Sequence, residues 1–129
     1  MHHSKLAGFI IDCQTADLQQ AADFWSAALG MPARALPGEE GGKYVQLHDA
    51  QHGLHIEVQK VEHTSRVHLD IAADNIEAEV KRLEALGAKR VANVETWVVM
   101  EAPTGQRFCV VRSSGADFAA RANAWPGSG

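Results

Sequence analysis

Two stretches of the chain carry the same succession of apolar and polar positions. In Leu6–Gly30, Phe9-Ile10-Ile11 reads as a strand, and Leu18, Ala21, Ala22, Trp25, Ala28 and Leu29 then recur at helical spacing. In Arg66–Gly87, Val67-His68-Leu69 takes the strand's place and Ile76, Val80, Leu83 and Leu86 the helix's. Asp17 with Gln20, and Asp74 with Glu77, fit the cap-plus-three pattern that satisfies free amides at a helix start. Gly30 and Gly87 stand where a left-handed residue ends a helix. Asp17, Ala28, Leu29 and Gly30 each recur 57 positions later. Phe24 and Trp25 are expected in the core.

The segments after each helix also match. Pro32–Leu36 and Ala88–Val91 are short candidate strands. Lys43–His48 and Gly53–Gln59 flank the turn Asp49–Gly53, and Thr96–Glu101 and Gln106–Arg112 flank Ala102-Pro103-Thr104-Gly105, so each half also predicts a hairpin. Pro37–Gly42 reads as a flexible glycine-rich loop. The expected fold is α+β: two tandem βαβββ modules, about 6–60 and 65–112, forming an open barrel-like cup with helices outside. They make one domain over 1–112, and 113–129 is a tail with a short helix around Ala116–Ala124. A unit of this size is too long for most solenoids, which favours a duplicated module.

Composition changes this picture little. The chain has 129 residues, 46% hydrophobic and 22% charged, as in an ordinary globular domain. The net charge is −4, with the acidity in the first half, which excludes a basic nucleic-acid surface. No apolar run approaches a signal-peptide core or the ~20 residues of a membrane span. The expectation is a cytoplasmic protein with Cys13 and Cys109 as free thiols. There is no glycine-rich phosphate loop, Cys-x-x-Cys pair or serine-centred nucleophile elbow.

The candidate chemistry lies in polar residues on strands. Aligning the modules by their helix-ending glycines, with one extra residue in the first, sets His68 opposite Ile10. Aligning the hairpin glycines Gly53 and Gly105 sets Glu57 opposite Cys109. Period-2 alternation adds His55 to the face of Glu57, and Asp12 and Asp70 to corresponding faces. Tyr44 and Trp97 occupy equivalent strands and would offer an aromatic wall to a flat ligand. Arg107 is a candidate for an anionic group. His48 and His52 flank the turn as solvated loop residues.

These residues are similar to those of a known family. Asp17-Leu18 through Asp23-Phe24-Trp25 to Leu29-Gly30, Leu54-His55-Ile56-Glu57-Val58, Arg66-Val67-His68-Leu69-Asp70, Leu86-Gly87 and Ala102 through Val111 together resemble the vicinal-oxygen-chelate superfamily. That group includes glyoxalase I, bleomycin- and fosfomycin-resistance proteins and extradiol dioxygenases, and the resemblance is greatest to glyoxalase-like domains. Metal-dependent members hold a divalent ion with four inward residues, one from each repeat-related strand position. Carried over, the resemblance implies Glu57 and His68 as ligands, with Cys109 a weaker third. Ile10 leaves the set incomplete. Oxygen and imidazole ligands suit zinc, nickel, manganese or iron as a Lewis acid, and thiolate favours zinc.

The resemblance implies a protein that binds a small organic molecule in the cup, as a divalent-metal-dependent lyase or isomerase. Glu57, His55 and Asp70 are then the candidates for moving a proton. His55 and Asp70 are alternatively replacement ligands, or groups that orient His68. Asp12, Tyr44, Trp97 and Arg107 would line the substrate pocket. The alternative is a metal-free protein that sequesters a toxic compound, which Ile10 favours. A third reading is an accessory protein with a vestigial cup. Dioxygenase chemistry would draw on His55, Glu57 and His68, although His55 is off the ligand position. Family members commonly pair as homodimers.

Overall fold

The computed structural model describes residues 1–127. In chain order the elements are β1 (His2–Gln14), α1 (Leu18–Leu29), β2 (Ala33–Ala35), a 3-10 turn (Gly38–Gly42), β3 (Tyr44–His48), β4 (His55–Val61), β5 (Arg66–Ala73), α2 (Ile76–Ala85), β6 (Lys89–Val94), β7 (Trp97–Glu101), β8 (Arg107–Arg112), α3 (Ala116–Arg121) and β9 (Asn123–Trp125). The fold class is α+β, and β1-α1-β2-β3-β4 and β5-α2-β6-β7-β8 are the two βαβββ modules. The segment expected as a flexible loop at Pro37–Gly42 forms the 3-10 turn instead.

Two compact units divide the chain: Gly8–His68, and Met1–Ala7 with the chain from Leu69 onward. In the Gly8–His68 unit the strand order is β2-β3-β4-β1, with β1 parallel to β4 and the hairpin antiparallel. Helix α1 covers one face: Leu18, Ala21 and Trp25 pack on Leu47, Ile56 and Val58. Asp17 caps it by accepting from the Gln20 amide at 3.1 Å, and Gly30 closes it in the left-handed region at φ 68°. Phe24, expected in the core, is instead exposed on the helix's outer side, edge-on to Trp25. At Gly8 the β1–β4 approach leaves no room for a side chain: a Cβ there would stand 1.8 Å from the His55 carbonyl oxygen.

In the other unit the order β5-β8-β7-β6 repeats the first. Helix α2 buries Val80 and Leu83 against Ala73, Val98, Met100 and Val110. Its cap is Asn75, which accepts from the Ala78 amide at 3.0 Å, rather than the expected Asp74. Asp74 is occupied elsewhere: its carboxylate takes the His3 amide and pairs with His3 Nδ1, both at 2.7 Å.

The expected tail is also more structured than its sequence suggests. Strand β9 pairs antiparallel with His2–Ser4 of β1, and the expected short helix is α3. Ser128 and Gly129, the end of that tail, lie outside the described residues. Beneath β9, Glu79 is 0% exposed and pairs with His2 Nε2 at 2.7 Å. Arg82 donates to both Glu79 oxygens at 2.8 Å and stacks on Trp125 at 3.9 Å, while the Trp125 indole donates to Ser4 Oγ.

Burial raises the Glu79 pKa, but hydrogen bonds from Arg82, His2 and Ser4 outweigh it and hold the carboxyl below its usual range. Its stabilising effect is therefore complete above the unfolded value of about 4.3 and is lost as pH falls through the lower folded value. Chemical denaturation should show this acid-side loss. It should also show that Glu79→Ala costs about 3–5 kcal/mol at neutral pH, because His2 and Arg82 lose a buried partner.

Candidate functional site

With one sheet face sealed under α1, alternation drives the intervening side chains of the Gly8–His68 unit to the other face. Along β4, Ile56 and Val58 are buried in the core, and His55, Glu57 and Gln59 point away from it. Directly paired residues share a face. Register therefore adds His48 beside His55, Gln46 beside Glu57 and Tyr44 beside Gln59 from β3. From β1 it adds Ile10 beside Glu57 and Asp12 beside Gln59. The result is a polar surface on rigid strands, with Ile10 as its buried apolar member.

His48, expected as a loop residue, is the last residue of β3 on this face. The turn starts one residue later at Asp49, whose carboxylate accepts from the Gln51, His52 and Leu54 amides. Burial opposes ionisation of Asp49, yet these amide hydrogen bonds and the His52 ring prevail and lower its pKa. This carboxylate fixes the hairpin register, and with it which side chains of β3 and β4 stand together.

Several polar groups on the face are already engaged with one another. His55 Nε2 lies 3.4 Å from Glu57 Oε1; His55 is half exposed and Glu57 is 14% exposed. Gln59 donates to the Tyr44 hydroxyl at 3.0 Å. His68 Nδ1 lies 2.7 Å from Asp12 Oδ2, with the two side chains 14% and 2% exposed, and Arg66 Nε approaches the same oxygen at 3.8 Å. The other oxygen, Asp12 Oδ1, is buried and has no hydrogen-bond partner among the described residues. The Asp12–His68 contact joins residues 56 positions apart, and residue spacing alone gave no sign of it.

The register also corrects the alignment of the two modules. Ile10 pairs with Glu57 on β1 and β4, and Asp70 pairs with Cys109 on β5 and β8. The counterpart of Ile10 is thus Asp70, not His68. Module 1 is three residues longer, not one, between this strand position and its helix-ending glycine; α1 has 12 residues where α2 has 10. Tyr44 and Trp97 do hold equivalent places, since Tyr44 pairs with Gln59 as Val98, next to Trp97, pairs with Val110. Arg107 donates to Glu101 across its hairpin at 3.2 Å.

Strand β5 carries His68 and Asp70 on one side, two residues apart. Asp70 pairs in register with Cys109 on β8. Imidazole, carboxylate and thiol groups are donor types that suit a divalent ion, and the sulfur weights the set towards zinc. Cys13, by contrast, packs in the α1 core; burial, then the nearby Asp12 charge, pushes its thiol pKa up. That environment suits an inert structural cysteine.

Among the described residues no helix is long and apolar enough to cross a membrane. No functionally curated protein matches the chain. Among solved structures, a hypothetical protein from Bacillus halodurans is similar at 10% identity and a TM-score of 0.64, covering 88% of this chain and 96% of its own. Methylmalonyl-CoA epimerase from Mycobacterium tuberculosis is similar at 15% identity and a TM-score of 0.61, covering 85% and 90%. The Streptomyces coelicolor methylmalonyl-CoA epimerase, solved with 2-nitronate-propionyl-CoA, gives 15% identity and a TM-score of 0.58 over 86% and 98%. At such identities the likeness is one of fold. It agrees with the resemblance to the vicinal-oxygen-chelate superfamily. The profile of the glyoxalase-like domain matches residues 8–111, and the chain belongs to that family.

Proposed function

We propose that the protein binds a small organic molecule against its polar sheet face and, as a lyase or isomerase, moves a proton on it. One observation carries this reading. Glu57 sits on a strand whose alternate residues are sealed in a core, and it faces away from that core with the His55 imidazole at 3.4 Å. A carboxylate held on a rigid strand is a positioned base, and a half-exposed imidazole beside it passes protons to and from water. Gln46, next to Glu57, and Gln59 with Tyr44 supply neutral hydrogen-bonding groups for orienting a substrate.

The substrate class is a carbonyl compound with an exchangeable hydrogen next to the carbonyl. The epimerases among the structural neighbours, which carry methylmalonyl-CoA in their names, support acyl thioesters as the first compounds to test. On the family resemblance a divalent ion belongs to the proposal, with His68, Asp70 and Cys109 as its candidate ligands: zinc by the thiolate, with nickel, manganese and iron as the other candidates. Such an ion, when bound, supplies Lewis-acid polarisation of a carbonyl or hydroxyl oxygen. A cytoplasmic homodimer completes the proposal, supported by the family resemblance and by two unbridged cysteines. A metal-free sequestering protein is the second reading, favoured by Ile10, buried beside Glu57 where metal-dependent relatives place a ligand.

Elemental analysis of protein purified without chelator should find one equivalent of a divalent metal, lost in a His68→Ala, Asp70→Ala double variant. Absence of metal after soaking with each ion would turn the reading to sequestration. Deuterium uptake from heavy water into a panel of acyl thioesters and 2-oxo compounds tests the chemistry. Glu57→Gln should slow that uptake by about 10²–10⁴-fold while leaving metal content unchanged.

A further inference from the structure

We propose that the cavity beside α2 and β9 is a further ligand site, which takes a small organic carboxylate on the Arg82 guanidinium and the Lys81 ammonium. The cavity measures about 500 Å³, and its lining, Ala78, Lys81, Arg82, Trp125 and Pro126 among it, belongs to a single compact unit. That volume lies in the range of small-molecule sites, about 300–1,000 Å³. None of these residues is on the polar face of the Gly8–His68 unit. Arg82 is the organising residue. Its Nε and one Nη2 hydrogen donate side-on to the two Glu79 oxygens at 2.8 Å, and its plane lies on the Trp125 ring at 3.9 Å. Glu79 is fully buried and is itself fixed by His2 at 2.7 Å. The guanidinium is thus held by one edge and one face before any ligand arrives.

Side-on pairing spends two of the five N–H donors of a guanidinium and leaves three. One from each Nη makes the end-on fork, whose spacing matches a second carboxylate. Glu79 does not line the cavity, whereas Arg82 does, with its side chain 27% exposed; the cavity therefore meets the guanidinium away from the Glu79 edge. A mobile arginine loses rotamer freedom when it takes an anion. This one lost it on folding, which leaves more of the contact energy for binding. Charge favours an anion as well. Glu79 balances Arg82, and Arg90 balances Glu77 on the cavity wall, with Nη2 at 2.6 Å. Lys81 adds an exposed positive charge beyond these two pairs. Ala78, Trp125 and Pro126 supply the apolar part of the wall. An acid with an aryl or alkyl body uses both kinds of wall, and phosphate only one. Helix α2 carries Lys81 and Arg82, and β9 carries Trp125 into place by pairing with His2–Ser4. A bound carboxylate therefore bridges α2 and β9 and stabilises the docking of β9.

Benzoate is the probe, titrated into the full chain at constant ionic strength. The readout is the Trp125 indole N–H signal in proton–nitrogen correlation spectra, assigned by its loss in Trp125→Phe. It should shift saturably with a dissociation constant on the order of 1 mM, the strength expected of so small a ligand. Benzamide, the neutral counterpart, should leave it in place. Acetate and inorganic phosphate, which lack the ring, should need at least about 10-fold higher concentration. Lys81→Glu lies on the exposed side of α2 and outside the Glu79 pair, so it keeps the fold; it should weaken benzoate about 10-fold. Arg82→Lys keeps the charge but loses the second fork, and a folded Arg82→Lys protein should weaken it at least as much. The absence of a saturable shift, an equal shift with benzamide, an equal response to acetate and phosphate, or unchanged affinity in Lys81→Glu overturns the proposal.

Discussion

Each four-stranded sheet is dried on one face by a single helix, and that constraint places everything else. Because side chains alternate strictly along a strand, sealing Ile56 and Val58 under α1 commits His55, Glu57 and Gln59 to the opposite face. A slip of one residue would exchange the two sets, burying a glutamate and exposing the core. The register is therefore under strong selection from packing alone. Two local devices reinforce it. Asp49 binds its own turn through three amides, and Gly8 lets β1 lie against the His55 backbone where any side chain would collide. Both decide which groups meet on the polar face.

The duplicated βαβββ order was legible in the sequence because it is written in local signals: apolar spacing, a capping Asp17, a left-handed Gly30 and two hairpin turns. Membership of the polar face was legible for the same reason, since alternation alone places His55 with Glu57 and Asp12 with Ile10. Distances along the chain were read less well. Counting back from the helix-ending glycines put His68 in the position of Asp70, because a longer helix and a longer connection in module 1 leave no mark in the apolar pattern. Contacts between distant segments were invisible. His2 with Glu79 is 77 residues apart, and His68 with Asp12 is 56 apart; no periodicity encodes either.

The first and last described segments show how such a contact changes the meaning of a residue. No pattern in the sequence marks His2 and His3. One is the buried partner of Glu79, and the other displaces Asp74 from the helix-capping role that its spacing predicts. Asn75 then takes the cap one position later, and α2 begins at Ile76. A long-range ion pair thus overrides a local capping preference, as tertiary contacts commonly do when both groups are partly desolvated.

The buried carboxylates of this fold divide by how fully their oxygens are used. Glu79 accepts from Arg82 on both oxygens and from His2 on one. Asp49 spends both on backbone amides. Each is complete, and each explains itself as structure: removing it would take from several donors their acceptor in the protein. Asp12 and Asp70 differ from these two. Both are buried, and each has its Oδ1 without a hydrogen-bond partner among the described residues, while Asp12 Oδ2 meets His68 Nδ1 at 2.7 Å. Leaving an acceptor dry costs free energy that a purely structural role does not recover. Glu79 and Asp49 hold the scaffold with both oxygens used, whereas the carboxylates with an oxygen to spare stand on β1 and β5, on the sheet faces that the helices leave bare.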